Sequence, residues 1–144
     1  MVCRNFAGAV DCISFSNKDV PVVLFLGGFP QGTARMFLRA LKLNKRYVDL
    51  LRSPIVPLVA VLWPRAVAEE FLEWGNTHHT TRADDGNAGR WHKDTGQHVR
   101  VCVPSLVEHP DMVPSVKGGQ QARWGKDKQR VAVAVAEDGL KYDW

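Results

Sequence analysis

Two neighbouring carboxylates, Asp84 and Asp85, stand in the segment Arg82-Ala83-Asp84-Asp85-Gly86-Asn87-Ala88-Gly89-Arg90-Trp91. Adjacent acids repel one another, so one holds its proton more tightly unless a cation intervenes, which suits a general base. The same pair also suits a plain helix start, where the first-turn dipole favours acids. The small residues Gly86, Ala88 and Gly89 leave room for a bulky ligand or a close-packed element. Arg90 is a group that can clamp a phosphate; five positions from Asp85, it is off the spacing of a helical ion pair. A second segment, Val103-Pro104-Ser105-Leu106-Val107-Glu108-His109-Pro110-Asp111, carries an imidazole between two acids just past an apolar run. His109 there can ligate a metal or a phosphate, or simply face solvent. The third is Leu26-Gly27-Gly28-Phe29-Pro30-Gln31-Gly32. Glycines directly after a buried strand allow a sharp turn and close approach of a ligand to the backbone. This is neither a phosphate-binding GKS/T loop nor GxGxxG, and an ordinary strand-to-loop turn has the same composition.

Other reactive side chains read more plainly. His78-His79 falls in a polar stretch, either as a metal site or as solvated loop residues. Cys3, Cys12 and Cys102 show no spacing to a His or Asp partner and read as small buried hydrophobes. Trp63 and Trp74 flank a helical pattern and should pack, and the end Tyr142-Asp143-Trp144 either docks or frays.

The elements that must position these groups follow from apolar periodicity. Residues up to Ser16 repeat Phe6, Val10 and Ile13 at helical spacing, and Asn17-Lys18-Asp19 breaks the pattern. Val22-Val23-Leu24-Phe25-Leu26 runs without alternation, the pattern of a strand covered on both faces. Thr33 is placed to cap a helix from Ala34 to about Asn44, with Met36, Phe37, Ala40 and Leu41 inward. Arg46 to Leu50 and Leu58 to Leu62 are strand candidates. Pro64, a first-turn proline, opens a helix from Arg65 to Trp74 with Val67, Ala68, Phe71 and Leu72 inward. Asp84 or Asp85 caps a helix toward Lys93, Gly96 ends it, and Val99 to Val103 alternates as a strand. Val131 to Ala136 is a weak strand or an extended arm. The order is that of an α/β layer domain: a three-layer-like mixed sheet flanked by helices.

The chain has 144 residues, 45% hydrophobic and 24% charged, values of one soluble globular domain rather than of a disordered chain. Residues 1–116 form the expected α/β core and residues 117–144 a basic C-terminal arm. No apolar run approaches the roughly 20 residues of a membrane-spanning helix, and no signal-peptide pattern follows Met1. The net charge is +4, with Lys117, Arg123, Lys126, Lys128 and Arg130 clustered late. That surplus admits an anionic partner without choosing among a nucleotide-sugar, a nucleic acid and an acidic glycan. An odd number of cysteines, three, with no CxxC pair, fits a reducing compartment, hence a cytoplasmic location.

Taken in order, the motifs resemble the C-terminal part of GT-A-type glycosyltransferases. The likeness is to phage-encoded glycosyltransferase-like proteins and their lipooligosaccharide-synthesis relatives. It is carried by Cys3-Arg4-Asn5-Phe6, Leu26-Gly27-Gly28, Val61-Leu62-Trp63-Pro64-Arg65, Asp84-Asp85 with Arg90, and Pro104-Ser105-Leu106-Val107 with His109. It extends from about Cys3 to Lys117. The resemblance implies transfer of a sugar from a nucleotide-sugar to a hydroxyl acceptor, in the cytoplasm of a bacterial host. It casts Asp85 as base, Asp84 as its assistant, and His109 as a ligand of Mn2+ or Mg2+. Gly27, Gly28 and Gln31 would border the acceptor, with Arg90, Arg123 and Lys126 on phosphates. The family's paired-acid metal element has no counterpart before Asp11, so completion by further N-terminal elements, a homodimer or a partner chain is expected. The alternatives are a truncated remnant that binds a glycan or protein without catalysis, and a basic nucleic-acid-binding protein. Asp84, Asp85 and Asp127 dilute the positive field that a nucleic acid needs.

Overall fold

A computed structural model describes residues 2–26, 31–50, 60–78, 84–108 and 134–144, and for residues 31–34, 84, 85 and 140 the backbone path without the side chains. In chain order the elements are α1 (Phe6–Ser16), β1 (Val22–Val23), α2 (Gln31–Lys42), β2 (Tyr47–Leu50), β3 (Val61–Leu62), α3 (Arg65–Thr77), α4 (Asp84–Thr95) and β4 (Val99–Cys102), with a 3-10 turn at Gly139–Lys141. The strands form one mixed sheet in the order β2-β4-β1-β3. The central pair is parallel, with Val22 beside Arg100 and Val23 beside Val101. β2 runs antiparallel along β4, from Tyr47 opposite Cys102 to Leu50 opposite Val99. β3 runs antiparallel along β1, with Val22 opposite Leu62 and Val23 opposite Val61.

Period-2 alternation splits the buried residues between the two faces of this sheet. Val23, Val99, Val101 and Val103 join Leu26, Phe37, Ala40, Val48, Leu50 and Ala88 in one cluster beneath α2 and α4. Val22, Leu24 and Cys102 join Cys3, Ala9, Ile13, Leu106 and Ala136 in a second, beneath α1 and the C-terminal segment. Helices therefore cover both faces of a mixed sheet, the layered α/β arrangement expected from the sequence. On the first face α3 and α4 are clamped by aromatic rings: Trp63 stacks on Phe71 at 5.1 Å, and Phe71 meets Trp91 edge-on at 5.3 Å.

Several local expectations are corrected. The apolar run is a strand only at Val22–Val23: Leu24 still bonds in the β3 register on one side, but on the other its carbonyl turns from β4 to the Leu106 N–H. The Leu24 N–H donates to Ala60 O at 2.8 Å, and Leu24 O accepts from the Leu106 N–H at 2.8 Å. Helix α2 begins at Gln31, so Thr33 lies inside it rather than capping it. Of its expected inward residues Phe37 and Ala40 are buried, whereas Met36 and Leu41 are 47% and 37% exposed. In α3 the expected residues Val67, Phe71 and Trp74 form the packed seam, whereas Leu72, also expected inward, is 64% exposed. Pro64 is the residue before the first helical position, and its carbonyl accepts from the Ala68 N–H at 2.9 Å. Cys3 and Cys102 are buried, but Cys12 is exposed.

The C-terminal residues pack on the body. Ser105 bridges in parallel to Val135, and Arg4 to Asp138. The Gly139 N–H donates to Arg4 O at 2.8 Å, and a Cβ on Gly139 would lie 2.6 Å from that of Ala9, so only glycine admits this approach to α1. Trp144 docks: its indole donates to Gly139 O at 2.6 Å, and its carbonyl accepts from Ser16 Oγ at 3.1 Å.

Candidate functional site

The parallel strands β1 and β4 end side by side, and their exits are tied by one buried hydroxyl. Ser105 Oγ accepts from the Leu26 N–H at 3.1 Å, immediately before Gly27. Ser105 is fully buried, as are Leu106 and Val103. Leu26 and the Pro-Ser-Leu-Val segment, distant in sequence, are thus tied together just past the ends of β1 and β4.

Helix α4 brings the third segment to the same end. A helix of 12 residues spans ~18 Å, and α4 turns back into β4 through Gly96 at φ 71, a left-handed position suited to glycine. Its last turns stay near the start of β4, where His92 Nδ1 is hydrogen-bonded to Gln97 O. Its earlier turn carries Ala88, fully buried in one cluster with Leu26 and Val103. α4 therefore leads back from the start of β4, with its first turn, Asp84-Asp85, on the side of the strands' carboxyl ends. In open α/β sheets ligands settle in the crevice outside those ends.

The remaining expected residues are distributed as follows. Gln31 is the first residue of α2, three positions after Gly28. Arg90 is half-exposed and turned to its own helix: Nε lies 3.3 Å from Asp94 Oδ2, an i,i+4 pair, and the guanidinium rests 5.8 Å from the Trp74 ring. The loop residues Gly27 and Gly28, the imidazole His109, and Arg123 and Lys126 lie outside the described residues, as does His79. His78 is not a free loop histidine. It follows the last turn of α3, its Nδ1 2.8 Å from Trp74 O and its ring stacked 4.5 Å from that of Trp74.

Among the described residues no group of three His, Cys, Asp or Glu gathers to hold a metal. No helix among them is long and apolar enough to cross a membrane. Two thiols show raised pKa values, Cys3 and Cys102, in both cases because burial disfavours the thiolate. They are packing groups, not nucleophiles.

Compared with known proteins, the chain matches no family model, no curated protein and no solved structure.

Two features of this end of the molecule escape a reading by motif. Ser105 was visible only as part of a string; its role as acceptor for Leu26 depends on a contact across 79 positions. The Trp74–His78 stack had a signal, since residues four apart share a helix face, but it needed α3 to run on to Thr77 rather than stop at Trp74.

Proposed function

We propose that this chain belongs to a sugar-transfer site of the GT-A-like kind, in which the first turn of α4 addresses a hydroxyl acceptor. The observation that carries the reading is the convergence of Leu26, Ser105 and α4 at the carboxyl ends of β1 and β4. The support is that Leu26, Ser105 and α4, from well-separated parts of the sequence, share one sheet, with Leu26 and Ser105 hydrogen-bonded.

In this reading the Asp85 carboxylate takes the proton of the acceptor hydroxyl as its oxygen bonds to the anomeric carbon of the donor sugar. The bond from that carbon to the diphosphate oxygen breaks, and the nucleoside diphosphate leaves with the electron pair. Asp84 binds a neighbouring acceptor hydroxyl. A positioned base contributes on the order of 10²–10⁴ in rate. Gly27, Gly28 and Gln31 border the acceptor, and Arg123 and Lys126 meet donor phosphates. His109 is the one candidate ligand for Mn2+ or Mg2+, and no step is routed through the metal. The donor-holding part comes from a partner chain or from outside the described residues.

Isothermal titration with uridine-diphospho-sugars plus Mn2+ tests this proposal. Saturable heat at millimolar donor or below supports it, and no heat at millimolar donor removes donor binding from it. A second reading, a non-catalytic module that pairs with a protein, is favoured by the exposed apolar residues Met36, Leu38, Leu41 and Leu43 along α2 and just past it. Size-exclusion chromatography separates the two: a stable dimer or a tight heteromeric complex with no heat from donor selects the module.

A further inference from the structure

Helix α2 carries apolar residues on its outside as well as its inside. Phe37 and Ala40 are buried in the core, yet Leu38 is 45% exposed and Leu43, one position past the helix, is 58% exposed. The end of the helix holds Leu43 in place. The Leu43 N–H donates to Arg39 O at 3.0 Å, the Asn44 N–H to Leu41 O at 3.1 Å and the Lys45 N–H to Ala40 O at 2.9 Å. With Asn44 left-handed at φ 54, this is the closing pattern of a Schellman motif, so Leu43 and Lys45 belong to one fixed end.

The charge of this element is one-sided. From Gln31 to Val48 the chain has Arg35, Arg39, Lys42, Lys45 and Arg46 and no Asp or Glu. These five cations exceed the net charge of the whole chain, +4. Arg35, Leu38, Arg39 and Lys42 follow the i, i+3, i+4, i+7 spacing of one helical face, opposite Phe37 and Ala40, and all four are exposed. Leu38 therefore stands among three cationic side chains, and Leu43 lies one turn beyond Arg39. Arg46 is committed elsewhere: it donates to Asn44 Oδ1 at 2.8 Å, and its guanidinium lies 5.0 Å from the Tyr142 ring centre. Cations near a helix C-terminus are ordinary, since they complement its dipole; leucines set among them on the outer face are not.

The occupant that fits follows from the two properties together. A second copy of the chain, packed by two-fold symmetry, would set this face against itself and bring like charges together. A nucleic acid would use the cations and leave the leucines in water. An anionic lipid surface uses both, because headgroup phosphates meet the Arg and Lys tips while leucines enter the boundary between headgroups and acyl chains. We infer that the outer face of α2 docks on an anionic phospholipid bilayer, lying on it, with Arg35, Arg39, Lys42 and Lys45 at the headgroups and Leu38 and Leu43 beneath them. The surface stands apart from the transfer reading: vesicle binding without heat from donor, or the reverse, separates the two.

The full chain is sedimented with vesicles of phosphatidylcholine alone, and with vesicles holding about one-third phosphatidylglycerol, at about 0.1 M salt. The expected result is partition onto the anionic vesicles and none onto phosphatidylcholine alone. Arg39→Gln with Lys42→Gln weakens that partition about tenfold or more. Leu38→Gln with Leu43→Gln weakens it about tenfold or more through the apolar contact, at an unchanged melting temperature because both side chains are exposed. Lys128→Gln with Arg130→Gln removes the same charge elsewhere in the sequence and leaves the partition within about threefold. No partition onto the anionic vesicles overturns the inference. An equal loss in the Lys128 and Arg130 pair does so too, since bulk charge would then be the cause. Full binding by the leucine pair, or a DNA duplex retained at the same salt in place of vesicles, assigns the face to plain phosphate contact and overturns it. A dimer that the leucine pair dissolves, with no vesicle binding, gives the face to a second copy and overturns it as well.

Discussion

At the scale of single residues, Ser105 is the hinge pin of the proposed site. It is fully buried and supplies the acceptor for the Leu26 N–H. Removing the hydroxyl leaves a buried donor unpaired, which costs ~1–3 kcal/mol. Ser105→Ala is therefore expected to lower urea-unfolding stability by that amount with an unchanged m-value; a loss below a few tenths of a kcal/mol would show the bond to be dispensable. The cysteines make a second residue-scale prediction. Cys12 is exposed, whereas Cys3 and Cys102 are buried and burial raises both their pKa values. A thiol-titrating disulfide reagent should find one fast thiol in the native protein and all three in denaturant. Cys12→Ser should remove the fast phase. The sequence reading of all three as buried hydrophobes holds for Cys3 and Cys102 and fails for Cys12, because which face of α1 carries a residue is not written in the residue itself.

At the scale of elements, the fold was legible where an apolar pattern was long and obscure where phase decided the outcome. Four helices and the four strands were all expected near their observed places. What spacing alone misjudged was the width of the inward stripe of α2 and α3: Phe37, Ala40, Val67 and Phe71 pack as expected, and Met36, Leu41 and Leu72 do not. In α3 the expected stripe Val67-Ala68-Phe71-Leu72 narrows to Val67 and Phe71 with Trp74, because the rings mesh with Trp63 and Trp91 and leave Leu72 outside. Trp91 is the keystone of that clamp and is 1% exposed. Trp91→Ala is expected to cost ~3–5 kcal/mol in thermal or urea unfolding, against ~0.5 kcal/mol or less for Leu72→Ala on the exposed face. Equal losses at the two positions would contradict this assignment of faces. The same argument explains why Ser105 could be quoted as part of a motif while its partner could not: neighbours in a string are readable, contacts between strand exits are not.

At the scale of the whole molecule, the two chain ends are sewn together. Arg4 pairs with Glu137, Asn5 with Asp138, and Trp144 sits on Tyr47 and Tyr142. Of the expected C-terminal arm, residues 134–144 pack on the body, with Ala136 in the second core cluster and Tyr142 and Trp144 against it. The burial that makes this face also makes it sensitive to alkali. Tyr47 has its pKa raised above its ordinary 10.0 chiefly by burial, opposed by the Asn17 hydrogen bond, and burial raises both buried thiols above 9.0. The folded chain therefore keeps these protons to higher pH than the unfolded chain does. Their contribution is complete below the unfolded pKa values and is lost as pH rises beyond them. The melting temperature should fall from about pH 9 upward, and Tyr47→Phe should flatten the portion above about pH 10. A profile unchanged up to about pH 11 would contradict the burial of these groups.

The convergence of three segments at one end of the sheet is tested most directly by mapping backbone amide shifts during titration with a uridine-diphospho-sugar in the presence of Mg2+. The expected result is one connected set of moving amides: Leu26 to Gly28, Gln31, Asp84 to Gly86, and Val107 to His109. Movement confined to α1 and the C-terminal segment, or in only one of the three segments, would contradict a shared site.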